Sequence, residues 1–118
     1  MIVGQVDEDG VPVIEIQVAG QTWPATMDTG FNGDLELPVE LRAKVNAHFI
    51  CRVRSFLAAG QVIEEDNHAV DFPFDGQVMD AETTFVGSDA ILIGTRLLRH
   101  HRLEINFVEQ TVLLERIN

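Results

Sequence analysis

The 118-residue sequence has little basic charge, with eight Lys and Arg against nineteen Asp and Glu and a formal net charge of −11. Nucleic acids and anionic membrane surfaces are bound through clustered Lys and Arg, and the sequence contains no such cluster. We therefore expect no nucleic-acid partner and no membrane partner. High negative charge is typical of a soluble protein that disfavours acidic ligands.

Cysteine and long apolar runs are also scarce. Cys51 is the only cysteine, which excludes an intrachain disulfide and is compatible with a reducing compartment, so we expect a cytoplasmic protein. No apolar run approaches the ~20 residues of a membrane-spanning helix. The N-terminal sequence MIVGQVDEDG lacks the basic region and the long apolar region of a signal peptide, so we expect none.

Short apolar segments separated by turn signals make up most of the chain. Asp-Gly pairs at 9–10 and 75–76 indicate hairpin turns, and Val, Ile, Thr and Phe favour strands. PVELRAKV (38–45) predicts a short helix opened by proline, and GTRLLRHH (94–101) predicts a further helical turn or two. No linker or repeat divides the chain. The sequence predicts a single domain, 1–118, that is mostly β and folds as a closed or nearly closed barrel with one or two short helices.

The stretch PATMDTGFNGDLELP (24–38) carries the candidate chemistry. Asp28 follows an apolar strand, and Thr29 and Gly30 come directly after it. Small residues there allow another backbone or a ligand to approach closely. The same three residues are also typical of an ordinary turn, in which the acid accepts hydrogen bonds from nearby backbone N–H groups. A catalytic carboxyl and a simple turn therefore both remain open from this motif alone.

Three segments in this order and spacing resemble the retropepsin-like aspartic proteases, in particular the small single-domain bacterial and archaeal members: WPATMDTGFNGDLELP, FLAAGQVIEED and AILIGTRLLRHHRLEINFVEQTVLLER. The resemblance extends from about Val11 to Glu115. It implies that Asp28 is the catalytic carboxyl and that Gly30 lies beside the substrate backbone. It also implies that the Thr29 hydroxyl bonds across a dimer axis.

The resemblance further implies a flap, a hairpin that closes over substrate, with a tip formed by Ala58, Ala59, Gly60 and Gln61. An ordinary hairpin turn is the alternative for this segment. Ile93 and Gly94 are expected to pack behind the catalytic loop, and Leu97 and Leu98 to lie in the core on a short C-terminal helix. The terminal strands 1–6 and 111–117 are candidates for a subunit interface.

The function implied is that of an aspartic endopeptidase acting as a homodimer on peptide or protein substrates. The chain has one Asp-Thr-Gly and is too short for two lobes, so each subunit would supply one Asp28 to a shared water. One carboxyl would take the proton of the water while the other donates to the carbonyl oxygen. No metal and no cofactor is implied. A catalytically weak dimer that binds peptides or serves assembly remains open, as does an unrelated β-barrel binding domain.

Several positions depart from the family pattern. Phe31 stands where many relatives have alanine or serine. Asn32 and Thr95 occupy positions where retroviral members pair an acid with an arginine, so we expect that ion pair to be absent, although Arg96 is only one residue away. The adjacent histidines 100 and 101 lack the i, i+4 spacing of a helical zinc pair, and we expect them on a solvated surface.

Overall fold

The fold, given by a computed structural model, is described for residues 1–117, without the side chains of Ser55 and Ala58. The strands in chain order are β1 (Ile2–Val6), β2 (Pro12–Val18), β3 (Gln21–Met27), β4 (Leu35–Pro38), β5 (Ala47–Phe56), β6 (Val62–Phe74), β7 (Gln77–Val86), β8 (Ile91–Ile93), β9 (His101–Asn106) and β10 (Thr111–Arg116). Two short 3-10 helices cover Val39–Lys44 and Ala58–Gly60. The mostly-β prediction is confirmed.

The ten strands form one sheet in the order β5-β6-β7-β4-β8-β3-β2-β1-β10-β9. The prediction of a closed barrel is wrong, because within residues 1–117 no ladder joins the two end strands, β5 and β9. The edge strand β5 has features that oppose further pairing. It carries Arg52 and Arg54, and its register shifts between Phe49 and Cys51. The sheet instead folds over its core, and β2 contacts β6.

The alternation of side chains in the strands decides which face is buried. In β2, Ile14, Ile16 and Val18 are buried while Glu15 and Gln17 are exposed, the period-2 pattern that the sequence predicts. The inward faces of the other strands join them in a single core, together with Leu41 of the first 3-10 helix. Pro38 directly precedes that helix, which occupies the segment predicted to be helical.

Leu97 and Leu98 are core residues as expected, but the short helix predicted around them does not form. Residues 95–100 make successive turns instead. Backbone N–H groups bond three residues back, as from Leu98 to Thr95 at 3.1 Å. The segment runs directly from Gly94 into β9, which leaves too few residues to offset the cost of starting an α-helix. Among the described residues no helix is long and apolar enough to cross a membrane.

The two adjacent histidines differ sharply in exposure. His100 is exposed as expected, but the prediction is wrong for His101, whose side chain is 1% exposed. His101 begins β9, and its ring lies 5.5 Å from that of Phe74. Burial lowers the pKa of His101, against the opposing effect of Asp75. His100 still belongs to the exposed turns before β9, whereas His101 is the first residue of the strand and packs against Phe74.

The position of β8 arranges the middle of the sheet. This strand lies between β3, to which it is parallel, and β4, to which it is antiparallel. The chain between β3 and β4, residues 28–34, must therefore pass around the end of β8. Asp28 consequently lies beside the point where β8 ends and Gly94 follows.

Candidate active site

Asp28 is half-buried at the end of β3, and its backbone is tied to β8. Its N–H donates to Ile93 O at 3.0 Å, and its carbonyl accepts from Phe31 N at 3.1 Å. Its carboxylate Oδ1 accepts from Gly30 N at 2.9 Å. A Cβ at position 30 would lie 3.3 Å from this Oδ1, so glycine keeps the carboxylate uncrowded. Thr29 and Gly30 are exposed.

Three backbone bonds from the segment after β8 fix the loop 28–34. Gly94 N donates to Asp34 O at 3.0 Å, Thr95 N to Phe31 O at 2.9 Å, and Arg96 N to Gly33 O at 3.2 Å. Ile93 and Gly94 thus lie directly behind the loop. A Cβ on Gly94 would be 2.0 Å from Gly33 O, a distance at which the loop would have to move.

The loop also explains the large residue at position 31. A Cβ on Gly33 would lie 2.7 Å from the Phe31 ring, and a Cβ on Gly94 would lie 2.9 Å from it. The ring therefore occupies space left by two glycines. The departure from a small residue at this position is accommodated by Gly33 and Gly94 together.

Positions 32 and 95 form no ion pair, but an acid–arginine pair forms close by, between Asp34 and Arg96. Asp34, 2% exposed, accepts from Arg96 Nη1 at 2.8 Å and from Glu82 N at 2.9 Å, both at Oδ2. The same Arg96 atom lies 3.1 Å from Glu82 Oε2. The acid of this pair thus lies two residues after Asn32, and the arginine one residue after Thr95. Asn32 itself is exposed.

A cleft of about 420 Å³ opens beside this loop. Asp28 and Gly30 line it from the loop, Glu36 from β4, and Phe56 and Leu57 from the end of β5. The cleft therefore lies between the loop and the hairpin formed by β5 and β6. It is the place where a bound chain could reach the Asp28 carboxylate.

The β5–β6 hairpin forms the outer side of the cleft. β6 pairs with β7 only from Asn67 to Phe74, so residues 50–66 form a two-stranded ribbon. Leu57 N donates to Gln61 O at 2.8 Å and closes the tip, where Ala59 and Gly60 have φ values of 68° and 77°. The predicted flap tip, residues 58–61, is this turn. The side chain of Ala58 lies outside the described residues.

Sequence reasoning missed the residues of the ribbon that line the cleft. Phe56 and Leu57 stand just before the tip and face the cleft more directly than the turn itself. The signal that could have indicated them is a pair of large apolar residues, Phe56 and Leu57, next to the predicted turn. Such residues are normally buried, so their exposure at a strand end suggests a binding surface.

The cleft is strongly acidic, lined by the carboxylates of Asp28, Asp34, Glu36, Glu65 and Glu82. Burial, and then the charges of Glu65 and Asp28, raise the pKa of Glu36. Glu36 could have been suspected from the sequence, because it alternates with the buried Leu35 and Leu37 of β4. Within residues 1–117, no group of three or more His, Cys, Asp or Glu has an arrangement that could hold a metal ion.

The fold is similar to that of a retropepsin-like aspartic protease from Rickettsia conorii, with a TM-score of 0.69 and 17% sequence identity. The match covers 97% of this chain and 89% of that chain. No family model and no curated protein matches. At this identity the likeness shows the retropepsin-like fold. The structural likeness therefore supports the resemblance found in the sequence as far as the fold is concerned.

Proposed function

We propose that the protein is an aspartic endopeptidase that acts as a homodimer, with one Asp28 from each subunit facing a shared water. The observation that carries this proposal is the position of Asp28. The carboxylate lies at the mouth of a cleft, in a loop fixed from behind by Gly94, on a retropepsin-like fold.

The chemistry follows from two like charges brought close together. Two carboxyls about 3 Å apart cannot both ionise, so the pair shares a proton. The ionised member takes a proton from the water, and the neutral member donates to the carbonyl oxygen of the peptide bond. The hydrogen bond from Gly30 N to Asp28 Oδ1 would hold each carboxyl in a fixed orientation. Neither step requires a metal or a cofactor.

The dimer is needed because one chain supplies one such carboxyl. Thr29 is exposed beside Asp28 and is free to meet its copy across a two-fold axis. The terminal strands already pair within the chain, β1 with β10 and β2, and β10 also with β9. An interface through them would therefore use exposed apolar side chains, such as Val3 at 70% and Ile117 at 51%, more than open strand edges.

The experiment compares the protein with Asp28→Asn on a quenched-fluorescence peptide library, from mildly acidic to neutral pH. Analytical ultracentrifugation establishes the dimer in the same buffer. Asp28→Asn should lower kcat/KM by a factor on the order of 10³ or more, because the shared proton is lost. Asp89→Asn, a matched change at an exposed turn residue, should leave it unchanged.

Cleavage that survives Asp28→Asn would overturn the enzyme proposal, and so would a proven dimer that cleaves no peptide in the library. A dimer that binds peptides without cutting them would instead support the peptide-binding alternative. A chain that stays monomeric at high concentration would favour an unrelated binding domain.

A further inference from the structure

Two acids in the cleft have no counter-charge. Glu36 on β4 and Glu65 on β6 line it together with Asp28. Among the described residues, neither makes a side-chain hydrogen bond or an ion pair. The acids beside Glu65 on the ribbon differ, since Glu64 and Asp66 lie within 3.7 Å of Arg52. The ribbon thus pairs Glu64 and Asp66 with arginine, whereas Glu65 forms no ion pair within the described residues, although it shares a second pocket with Arg42 and Arg52.

A third acceptor in the same cleft is incompletely bonded. Asp34 is 2% exposed, and its Oδ2 is held by Arg96 and by Glu82 N, but its Oδ1 has no hydrogen-bond partner. Arg99 Nη1 lies 4.0 Å from this Oδ1. A buried acceptor without a donor is costly, and a positive charge held in the cleft would offset part of that cost. This observation is independent of the charges of Glu36 and Glu65.

Apart from Asn67 and Thr84, the side chains that complete the lining of the cleft are apolar. Val53, Phe56 and Leu57 contribute from the ribbon, and Leu92 from β8. A small metal ion would make no use of such a surface. Lysine and arginine side chains would, because they pack their aliphatic stems on apolar groups while the charged head contacts carboxylates. The cleft therefore combines the two surfaces that one long cationic side chain needs.

We propose that this cleft selects peptides with a lysine or arginine side chain, whose stem packs on Val53 and Leu57 and whose head lies between Glu36 and Glu65. The cleavage of such peptides rests on the proposed endopeptidase function, whereas their binding does not. In a two-fold dimer the same acidic wall occurs on both sides of the axis. The preference would then apply to one position on each side of the bond that is cut.

The test uses a set of short fluorescein-labelled peptides of alanine and valine in which one lysine occupies each position in turn. A matched set carries norleucine, which has the stem without the charge. Binding is measured by fluorescence anisotropy at low salt, on the Asp28→Asn variant to avoid cleavage. At the preferred position we expect lysine to bind about tenfold more tightly than norleucine, an advantage that shrinks as salt is added.

Glu36→Gln and Glu65→Gln should each reduce this preference by about threefold, and the double variant should nearly abolish it. Glu8→Gln, the same change at an exposed turn residue that lines no part of the cleft, should retain it. Circular dichroism of each variant establishes that it folds. If the double variant does not fold, either single variant is enough for the test.

Equal binding of the lysine and norleucine sets would overturn the inference, and so would a preference that persists in the folded variants. Cleavage without a basic preference would leave the endopeptidase proposal standing and remove this one. A proven dimer that binds lysine peptides through Glu36 and Glu65 but cleaves none of them would support this inference and remove the endopeptidase proposal.

Discussion

The two sides of the cleft are built differently. The loop 28–34 is held from behind, because residues 94–96 bond its backbone and glycines at 33 and 94 let the segments touch. The ribbon 50–66 pairs only with itself, and Phe56 at its end is 78% exposed. Its cross-strand ion pairs, such as that of Arg52 with Glu64, lie in water, where such pairs stabilise little.

The difference separates a fixed part of the site from an adaptable one. A hairpin without a third strand is marginally stable, and local opening is cheapest where few buried contacts hold a segment. The backbone bonds of the loop hold its carboxylate in a defined position. We expect the ribbon to change its distance from the loop at small cost, as a flap in the proposed endopeptidase would have to do.

Gly94→Ala should have the largest effect, on the fixed side. Its methyl group would lie 2.0 Å from Gly33 O, so the loop must shift. We expect a loss of about 3 kcal/mol in the free energy of unfolding, measured by urea denaturation. Gly87→Ala is the control, since nothing lies within 4 Å of its added methyl and its φ is not positive. Equal effects of the two changes would show that the loop is not closely packed.

Arg96→Gln should have the second-largest effect on stability. It leaves the buried Asp34 carboxylate without its cation, and we expect a loss of about 2 kcal/mol, below the full cost of a broken buried pair because the Arg96 side chain is 45% exposed. Arg102→Gln removes the exposed pair with Glu104 and should cost less than about 0.5 kcal/mol. If both variants unfold at the same urea concentration, the Asp34 pair does not hold the loop.

Ala59→Gly tests the adaptable side. Ala59 has a φ of 68°, which is unfavourable for any residue with a Cβ, so glycine should stabilise the turn by about 1 kcal/mol. Hydrogen exchange at the ribbon amides should become roughly fivefold slower, with little change at β8. Gly60→Ala, at a φ of 77°, should have the opposite effect. Changes in exchange spread evenly over β8 and the ribbon would contradict the separation of the two sides.

Glu36→Gln should have the smallest effect. Burial and the neighbouring carboxylates raise its pKa above the ordinary 4.5, so the folded protein holds this proton more tightly than the unfolded chain does. The resulting stabilisation is complete below pH 4.5 and is lost as the pH rises through the folded pKa. The variant should therefore match the parent in acid and exceed it near neutrality, by less than about 1 kcal/mol because water screens the site.

Thermal denaturation of both proteins across this pH range provides the measurement for Glu36→Gln. Glu8→Gln should show no comparable gain at neutral pH. A variant that is less stable than the parent near neutrality would indicate that Glu36 has a cation partner in solution, and would weaken the case for an uncompensated acidic wall.

Short-range sequence patterns predicted much of the fold. Asp-Gly pairs marked hairpin turns, alternation marked the buried face of β2, and apolar residues before Asp28 and Gly94 marked the ends of β3 and β8. These features depend on residues close in sequence, where turn chemistry and side-chain period act directly. The position of Asp28 at a cleft was therefore within reach of the sequence.

Features that depend on residues far apart in the sequence could not be predicted from it. Asp34 and Arg96 are 62 residues apart, and nothing local to either residue indicates that they pair. Glu36 and Glu65 become neighbours only because of how the strands are ordered in the sheet. The burial of His101 depends on the packing of its ring against Phe74, 27 residues earlier in the chain. Closure of the sheet depends on whether its two edge strands pair with each other, and the β propensity of individual residues does not specify that pairing.

The insertion of β8 between β3 and β4 has a consequence for synthesis of the chain. The backbone partners of the loop 28–34 lie at residues 93–96, so the loop cannot adopt its final shape until that late segment has left the ribosome. Parallel pairing between segments so far apart forms slowly, because a long stretch of chain must first be closed. The nascent protein would thus carry its aspartate without an organised site until residues 93–96 have been synthesised and have paired with the loop.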